Sequence, residues 1–252
     1  MNLLNAFRKE FLEQWRTHRF LVVVAVLVVF GLLSPLVAKL TPEIFKMVPG
    51  AEPYAAMIPP PTVNDAVAQY IKNIGQFALI IGILVTMGAV ALEKDKGTAG
   101  MILVKPLSRG AFLLAKFMAL LLVFGISIIL AGLGAYYYTL ILFEPVPFLP
   151  WLALNGLLLT YTMVYVTLTL FFSTISRSQV LAGGLALAAL LVFGVLGSIP
   201  SIGDYMPGKL VNWGAGLMAQ TAQAAWPALW ISFGIILAAL LGGWLVFREQ
   251  EL

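Results

Sequence analysis

Ionisable and turn-forming side chains are concentrated in one short stretch, residues 93–116, between two long apolar runs. Its notable members are Glu93, Lys94, Lys96, Gly97, Thr98, Pro106, Ser108, Arg109 and Lys116. Pro106 is typical of a residue that ends a helix, and Ser108 of an N-cap that begins one. A short helix with charges and an apolar edge suits docking into a groove on a soluble partner. An ordinary basic loop beside a membrane is an equally good interpretation of these residues.

The rest of the chain offers little material for catalysis. The 252 residues include no cysteine and one histidine, His18, which excludes disulfides, thiolate metal sites and cysteine nucleophiles. Hydrolysis inside a membrane needs paired carboxylates, a serine–histidine pair or a metal cluster. The apolar runs contain no acidic residue, which also argues against a proton-coupled carrier. We therefore predict no catalytic residues and no metal-binding or cofactor-binding site in this chain.

Composition indicates that lipid surrounds most of the chain. Hydrophobic residues make up 61% and charged residues 10%, and the mean hydropathy is +0.98. A soluble domain keeps roughly a quarter of its residues charged, and a membrane-spanning helix needs about 20 mostly apolar residues. Suitable stretches cover residues 20–38, 74–92, 111–142, 151–172, 180–199 and 228–247. The sequence predicts one all-α transmembrane domain over residues 1–252, with six transmembrane helices.

The distribution of positive charge predicts the orientation of these helices. Most of the 15 lysine and arginine residues lie before the first span or between the second and third spans. Loops rich in these residues face the cytoplasm, so we expect both termini on the cytoplasmic side of the cell (inner) membrane. The same loops account for the net charge of +4. The lipid bilayer is therefore a predicted partner, and nucleic acid is not.

The first 19 residues predict a helix of a different kind. Leu4, Phe7, Phe11 and Trp15 recur at helical spacing, and Lys9, Glu13 and Arg16 fall on the opposite face. Such an amphipathic helix lies in the headgroup plane of a membrane, with its apolar face toward the acyl chains. We expect residues 1–19 to form an interfacial helix that turns directly into the first span.

Two longer connections are predicted on the external side. Residues 39–73 are rich in proline, which favours turns and extended chain, although residues 62–73 have a helical pattern that leads into the second span. Residues 200–227 are moderately apolar. Irregular backbone is tolerated at membrane depth where protein buries it, so a short re-entrant element is one interpretation of this segment. An ordinary external loop is the other.

The polar residues inside the predicted spans are mostly uncharged amides and hydroxyls. Such groups often form hydrogen bonds between helices. The alternative is a path of mild polarity that suits an amphipathic cargo. The candidates for that path are Gln76, Asn155, Thr160, Tyr161 and Tyr165.

The stretch 93–116 resembles the signature loop of the type-2 ABC transporter permease family. Members of that family have a glutamate after the second span, then Gly-Thr, a leucine-rich turn, and Pro-x-Ser-Arg before a lysine in the third span. The matching positions are Glu93, Gly97, Thr98, Pro106, Ser108, Arg109 and Lys116. Met-Ile-Leu at residues 101–103 replaces the leucine run, and Lys105 precedes the proline. The six spans, the cytoplasmic ends and the interfacial N-terminal helix also fit this family.

The resemblance implies a transporter that exports its cargo with energy from ATP. Two permease subunits, identical or different, would form the membrane part, and two ABC ATPase subunits would bind ATP and Mg²⁺ below them. Residues 93–110 would be the coupling helix that docks into an ATPase cleft. The chain has no ATPase of its own, because its nearest approach to a phosphate-binding loop, residues 203–210, has Leu210 in place of the metal-binding hydroxyl.

Two other functions fit the sequence without this resemblance. A membrane scaffold would recruit a cytoplasmic partner through residues 93–110 and transport nothing. A secondary carrier would transport without an ATPase. No motif identifies the cargo.

Overall fold

The computed structural model describes residues 3–49, 59–95 and 108–249, and in these ranges the chain is helical with no β-strand. Six helices in these ranges are long and apolar enough to cross a membrane, which confirms the predicted all-α, six-span architecture. The membrane-spanning helices are α2 (Arg19–Lys46), α3 (Val63–Thr86) with its short continuation α4 (Ala91–Asp95), α5 (Arg109–Leu142), α6 (Phe148–Ile175), α7 (Gln179–Gly197) and α9 (Trp226–Glu249). The other helices are α1 (Leu3–Arg16), α8 (Gly208–Met218) and a 3-10 turn, Gly203–Tyr205.

Helix α2 is longer than its apolar pattern predicts. It continues to Lys46 and includes both Pro35 and Pro42. The prediction that loop structure begins at residue 39 is therefore wrong for residues 39–46, and residues 50–58 lie outside the described ranges. Proline is tolerated within transmembrane helices because neighbouring helices and hydroxyl side chains satisfy the freed backbone groups. Close packing supports α2 here, since a Cβ atom added to Gly31 would lie 2.7 Å from the carbonyl oxygen of Ala131 in α5.

Helix α3 begins where the sequence predicts a helix ahead of the second span. Thr62 is its N-cap, and the backbone N–H of Thr62 donates to Asp65 Oδ2 at 2.7 Å. Thr62 and Asp65 together form a capping box, which fixes the start of the helix.

The core lies between α2, α3, α5 and α6. Its largest fully buried side chains include Leu27, Tyr70, Ile74, Phe124 and Leu154. We call the end of the bundle where α4 ends and α5 begins the loop end, and the end where α3 and α6 begin the opposite end.

The segment 200–227 contains a helix that packs against the protein. Leu210 of α8 is fully buried, and a Cβ atom added to Gly214 would lie 2.5 Å from the side chain of Leu154 in α6. Glycine at this position therefore lets the two helices approach closely. The segment is more ordered than a simple loop, and its re-entrant character stays a prediction.

Candidate functional site

A buried cluster of charges joins α1, α4 and α5 at the loop end. Lys116 Nζ in α5 donates to Glu10 Oε2 of α1 at 2.8 Å and to Glu93 Oε1 of α4 at 2.8 Å. The side chains of Lys116 and Glu10 are only 4% and 6% exposed. Lys9 Nζ lies 3.0 Å from Glu10 Oε1 and 4.0 Å from Glu93 Oε1. We call Lys9, Glu10, Glu93 and Lys116 the ion cluster.

Helix α1 supplies the cluster through a polar inner face. Its buried residues are Ala6, Glu10 and Gln14, which are spaced four apart and so share one side of the helix. The apolar residues Leu4 and Trp15 are instead 74% and 51% exposed. An amphipathic helix that leaves part of its apolar side exposed, while the rest packs against the core, is suited to a membrane surface. The predicted helix is thus present, and its place in the headgroup plane stays a prediction.

Electrostatics favours the ionised form of the groups that α1 contributes. Burial opposes the charge of Glu10, but the ammonium groups of Lys116 and Lys9 outweigh this effect and lower the pKa of the Glu10 carboxyl. Burial also opposes the charge of Lys9, but the Glu10 carboxylate outweighs it and raises the pKa of Lys9. The Glu10–Lys9 contact is therefore an ion pair at neutral pH.

The carboxylates of Glu10, Glu13 and Glu93 also approach one another within 4.8 Å, as ligands of a cation would. Lys116 forms salt bridges with two of these groups, Glu10 and Glu93. The Nζ atom of Lys9 lies within 4.0 Å of a carboxylate oxygen of all three. Each of these carboxylates is thus already paired with an ammonium group, and the group is a salt-bridge network.

A break between α3 and α4 shapes the end of the second span. Ser173 of α6 bridges this break, because its Oγ accepts from the backbone N–H groups of Val90 and Ala91, each at 3.0 Å. The same hydroxyl donates to the carbonyl oxygen of Met87 at 2.8 Å. Backbone groups freed by a broken transmembrane helix must be satisfied by neighbouring protein groups. Ser173 therefore stabilises a bend directly before Glu93.

Residues near both ends of the 93–110 segment are anchored to other spans. Lys94 Nζ donates to the carbonyl oxygen of Thr174 in α6 at 2.6 Å. Arg109 Nη1 donates to the carbonyl oxygens of Phe247 and Arg248 at the end of α9, at 2.5 and 2.9 Å. Basic side chains commonly bond the terminal carbonyls of helices in this way. Movement of the segment would therefore pull on α6 and α9 as well as on α4 and α5, to which it is joined directly.

Comparison with known proteins identifies the family. Residues 4–206 match the family described as "ABC-2 family transporter protein". The chain belongs to this family. The ABC-2 permease is also similar to the uncharacterized transmembrane protein YxlG of Bacillus subtilis (strain 168), with 26% identity over 256 residues that cover 99% of this chain and 97% of YxlG. The resemblance to type-2 ABC permeases is confirmed: the chain is a multi-pass membrane component of a transporter, and this family implies an ATPase partner.

The structure locates five of the nine coupling residues predicted for this permease. Glu93 and Lys116 are in direct contact, and Lys94 and Arg109 bond to other spans. Ser108 is the predicted N-cap, because its Oγ accepts from the N–H of Ala111 at 3.2 Å. The remaining predicted residues, Lys96, Gly97, Thr98 and Pro106, lie outside the described ranges. Their role in coupling stays a prediction.

Sequence reasoning missed Glu10 and Ser173. The signal for Glu10 was present, because it shares a helical face with Ala6 and Gln14 and is the charged member of that face. No comparable signal marks Ser173, whose role depends on a break in a different helix.

The five predicted path residues do not form one group. Asn155 is buried, accepts from Tyr70 Oη at 2.5 Å and donates to the carbonyl oxygen of Trp151 at 2.8 Å. Thr160 donates to Gly156 of its own helix at 2.9 Å, and Gln76 is exposed on α3. None of these three residues lines the cavity to which Tyr161 and Tyr165 contribute.

Tyr161 and Tyr165 do share a cavity. Its volume is about 260 Å³, and it lies between α6, α7 and the segment that includes α8. Phe193 and Lys209 also line this cavity, so its surface is both aromatic and polar.

Proposed function

We propose that this ABC-2 permease is one half of an exporter driven by separate ATPase subunits. Two permease subunits, identical or different, form the membrane part, and ATP and Mg²⁺ bind to the ATPase partners. Both termini and the 93–110 segment face the cytoplasm, because the loops on that side carry most of the lysine and arginine residues.

The ion cluster is the observation that carries this proposal. The 93–110 segment begins at Glu93, and Lys116 follows its other end in the first turns of α5. These two side chains bind each other, and both are held to α1 by Glu10 or by Lys9. A force on the segment would therefore act on the ends of α4 and α5 together with α1.

Coupling requires more than a tight contact. Each nucleotide state of the ATPase must favour a different permease conformation, because a partner with no preference between two conformations shifts neither. Buried salt bridges suit this task, since their strength depends strongly on geometry and a small displacement changes their free energy. We propose that the Glu93–Lys116 contact differs between the two conformations.

The experiment that tests this proposal is affinity purification of the tagged permease from its native membrane, with identification of bound proteins. We expect an ABC ATPase in the purified complex and stimulation of its ATP turnover by the permease. Charge reversal in Glu93→Lys or Arg109→Glu should uncouple ATP hydrolysis from transport. Lys72→Glu reverses an exposed charge in the first half of α3, away from the 93–110 segment, and is the matched control.

The outcomes separate this function from its alternatives. Transport that is unchanged in both variants of the 93–110 segment would contradict the coupling assignment. A purified complex without an ATPase, under conditions that preserve membrane complexes, would favour a scaffold if no transport is measured. Transport without an ATPase would favour a secondary carrier.

A further inference from the structure

An apolar groove runs between α5 and α9 at the loop end. Its volume is about 370 Å³, within the range of small-molecule sites, and it is open on one side. It is lined by Gly110, Leu113, Leu114, Leu237, Leu240, Leu241 and Trp244. Both helices are candidate membrane spans, so a groove between them with this apolar lining is suited to an acyl chain.

The shape of the groove follows from how α9 packs. Gly242 and Gly243 bring α9 close to other spans, since Cβ atoms there would lie 3.3 Å from Phe171 of α6 and 3.1 Å from Leu113 of α5. Toward its C-terminus α9 is joined to α5 again by Phe112 and Phe247, whose rings stack with centroids 5.5 Å apart. The Arg109 bonds to the α9 carbonyls close the same end.

The closed end of the groove carries positive charge. Leu237, Leu241, Trp244 and Arg248 are spaced four, three and four residues apart and so lie along one face of α9. The Arg248 guanidinium lies 5.7 Å from the centre of the Trp244 ring, which is a groove wall. Arg109 lies beside it. Glu249 lies on a different side of α9, because successive helical residues are about 100° apart.

We propose that this groove binds an anionic phospholipid, with one acyl chain along the leucines and the phosphate at Arg248. The charge favours this occupant over other lipids. A zwitterionic lipid fills the apolar part of the groove equally well, but only a headgroup with a net negative charge gains from the Arg248 guanidinium. The proposal does not depend on transport or on the ATPase partner.

The test measures binding of tail-labelled phosphatidylglycerol and phosphatidylcholine to the purified permease in non-ionic detergent. We expect phosphatidylglycerol to bind about fivefold more tightly, which corresponds to one basic residue beside an anionic lipid. Arg248→Gln should remove this preference, and Arg248→Lys should retain it. Leu241→Trp should lower the affinity for both lipids, because the larger side chain fills the groove. Arg177→Gln, which neutralises an exposed arginine between α6 and α7, is the matched control and should leave the preference intact.

Several results would overturn the proposal. Equal affinities of the wild-type permease for the two lipids would do so, as would an unchanged preference in Arg248→Gln. Displacement of the labelled lipid by an equal concentration of inorganic phosphate would show a site for free anions instead. Elution volume and melting temperature of each variant establish that it is folded before its affinities are compared.

Discussion

At the loop end the helices are joined by buried charges, whereas at the opposite end they are joined by neutral hydrogen bonds. Lys116 holds Glu10 and Glu93 in the ion cluster. At the opposite end Tyr70 Oη donates to Asn155 Oδ1 at 2.5 Å, and Trp151 Nε1 donates to the carbonyl oxygen of Gly132 at 3.0 Å. Each network includes one contact between helices that are distant in sequence, α1 with α5 in the first and α3 with α6 in the second.

This contrast indicates which end of the bundle is suited to move. A buried charge that loses its partner is far more costly than a neutral group that loses a hydrogen bond. The ion cluster is therefore sensitive to small displacements, and it flanks the segment proposed to receive force from the ATPase. The neutral network contains no charge that depends on a partner, and it suits a region of the bundle that stays fixed.

The largest effect is expected from Lys116→Met, which leaves two buried carboxylates without their shared cation. Removal of one partner from a buried salt bridge typically costs about 3–5 kcal/mol. We expect a loss of unfolding free energy of this size, measured by reversible denaturation in lipid–detergent micelles. Adding Glu10→Gln and Glu93→Gln should recover much of the loss, because no unpaired charge then remains. No recovery in the triple variant would show that packing, and not charge, dominates this site.

A smaller effect is expected at the opposite end from Tyr70→Phe. The change removes the hydroxyl that donates to Asn155 and keeps the ring, so the cost should be about 1–3 kcal/mol for a buried group left unsatisfied. The same denaturation measurement checks it, with Tyr137→Phe, at an exposed position of α5, as the control. A loss equal to that of Lys116→Met would remove the distinction between the two ends.

The two ends should also differ in their response to acid. The folded protein lowers the pKa of Glu10 below its ordinary value of 4.5, so this group contributes stability above that value. The contribution is lost as pH falls through the lowered pKa of the folded state. As the pH drops below about 4.5, the unfolding free energy of the wild type should therefore decrease, and part of this decrease should be missing in Glu10→Gln. The Tyr70→Phe variant should keep this part of the decrease, and identical profiles of wild type and Glu10→Gln would contradict the assignment.

The smallest effect is expected at the corner between α1 and α2. His18 has a backbone φ of 59°, a left-handed conformation that costs a residue with a Cβ about 1–2 kcal/mol. His18→Gly relieves this strain but adds freedom to the unfolded chain, so we expect a net change below about 1 kcal/mol. A larger loss of unfolding free energy, measured by the same denaturation, would mean that a rigid corner is needed to hold α1 in the ion cluster.

Much of the fold was predictable from local features of the sequence. The six spans follow from the length of the apolar runs, and the N-caps at Thr62 and Ser108 follow from residue type. The helical stretch after Pro42 was not predictable, because its stability comes from neighbouring helices, which tolerate proline where an isolated chain does not.

The candidate site was predictable only in part. Glu93 and Lys116 lie in the recognised loop and at its edge, and the structure joins them. Thr160 and Asn155 could not be assigned from the sequence, since their residue types are equally compatible with a path and with internal hydrogen bonds. The structure shows the bonds that each makes, but the cargo path stays a prediction.

Local patterns are enough to identify a helical membrane protein with a charged segment between two spans, because hydropathy and capping are properties of neighbouring residues. The contact of Glu10 with Lys116, 106 positions away, is visible only once the helices are packed together. That contact depends on the angle at His18 and on the packing of α1 against α5. Neither is encoded in a local pattern, because a buried charge is placed by all the helices that surround it.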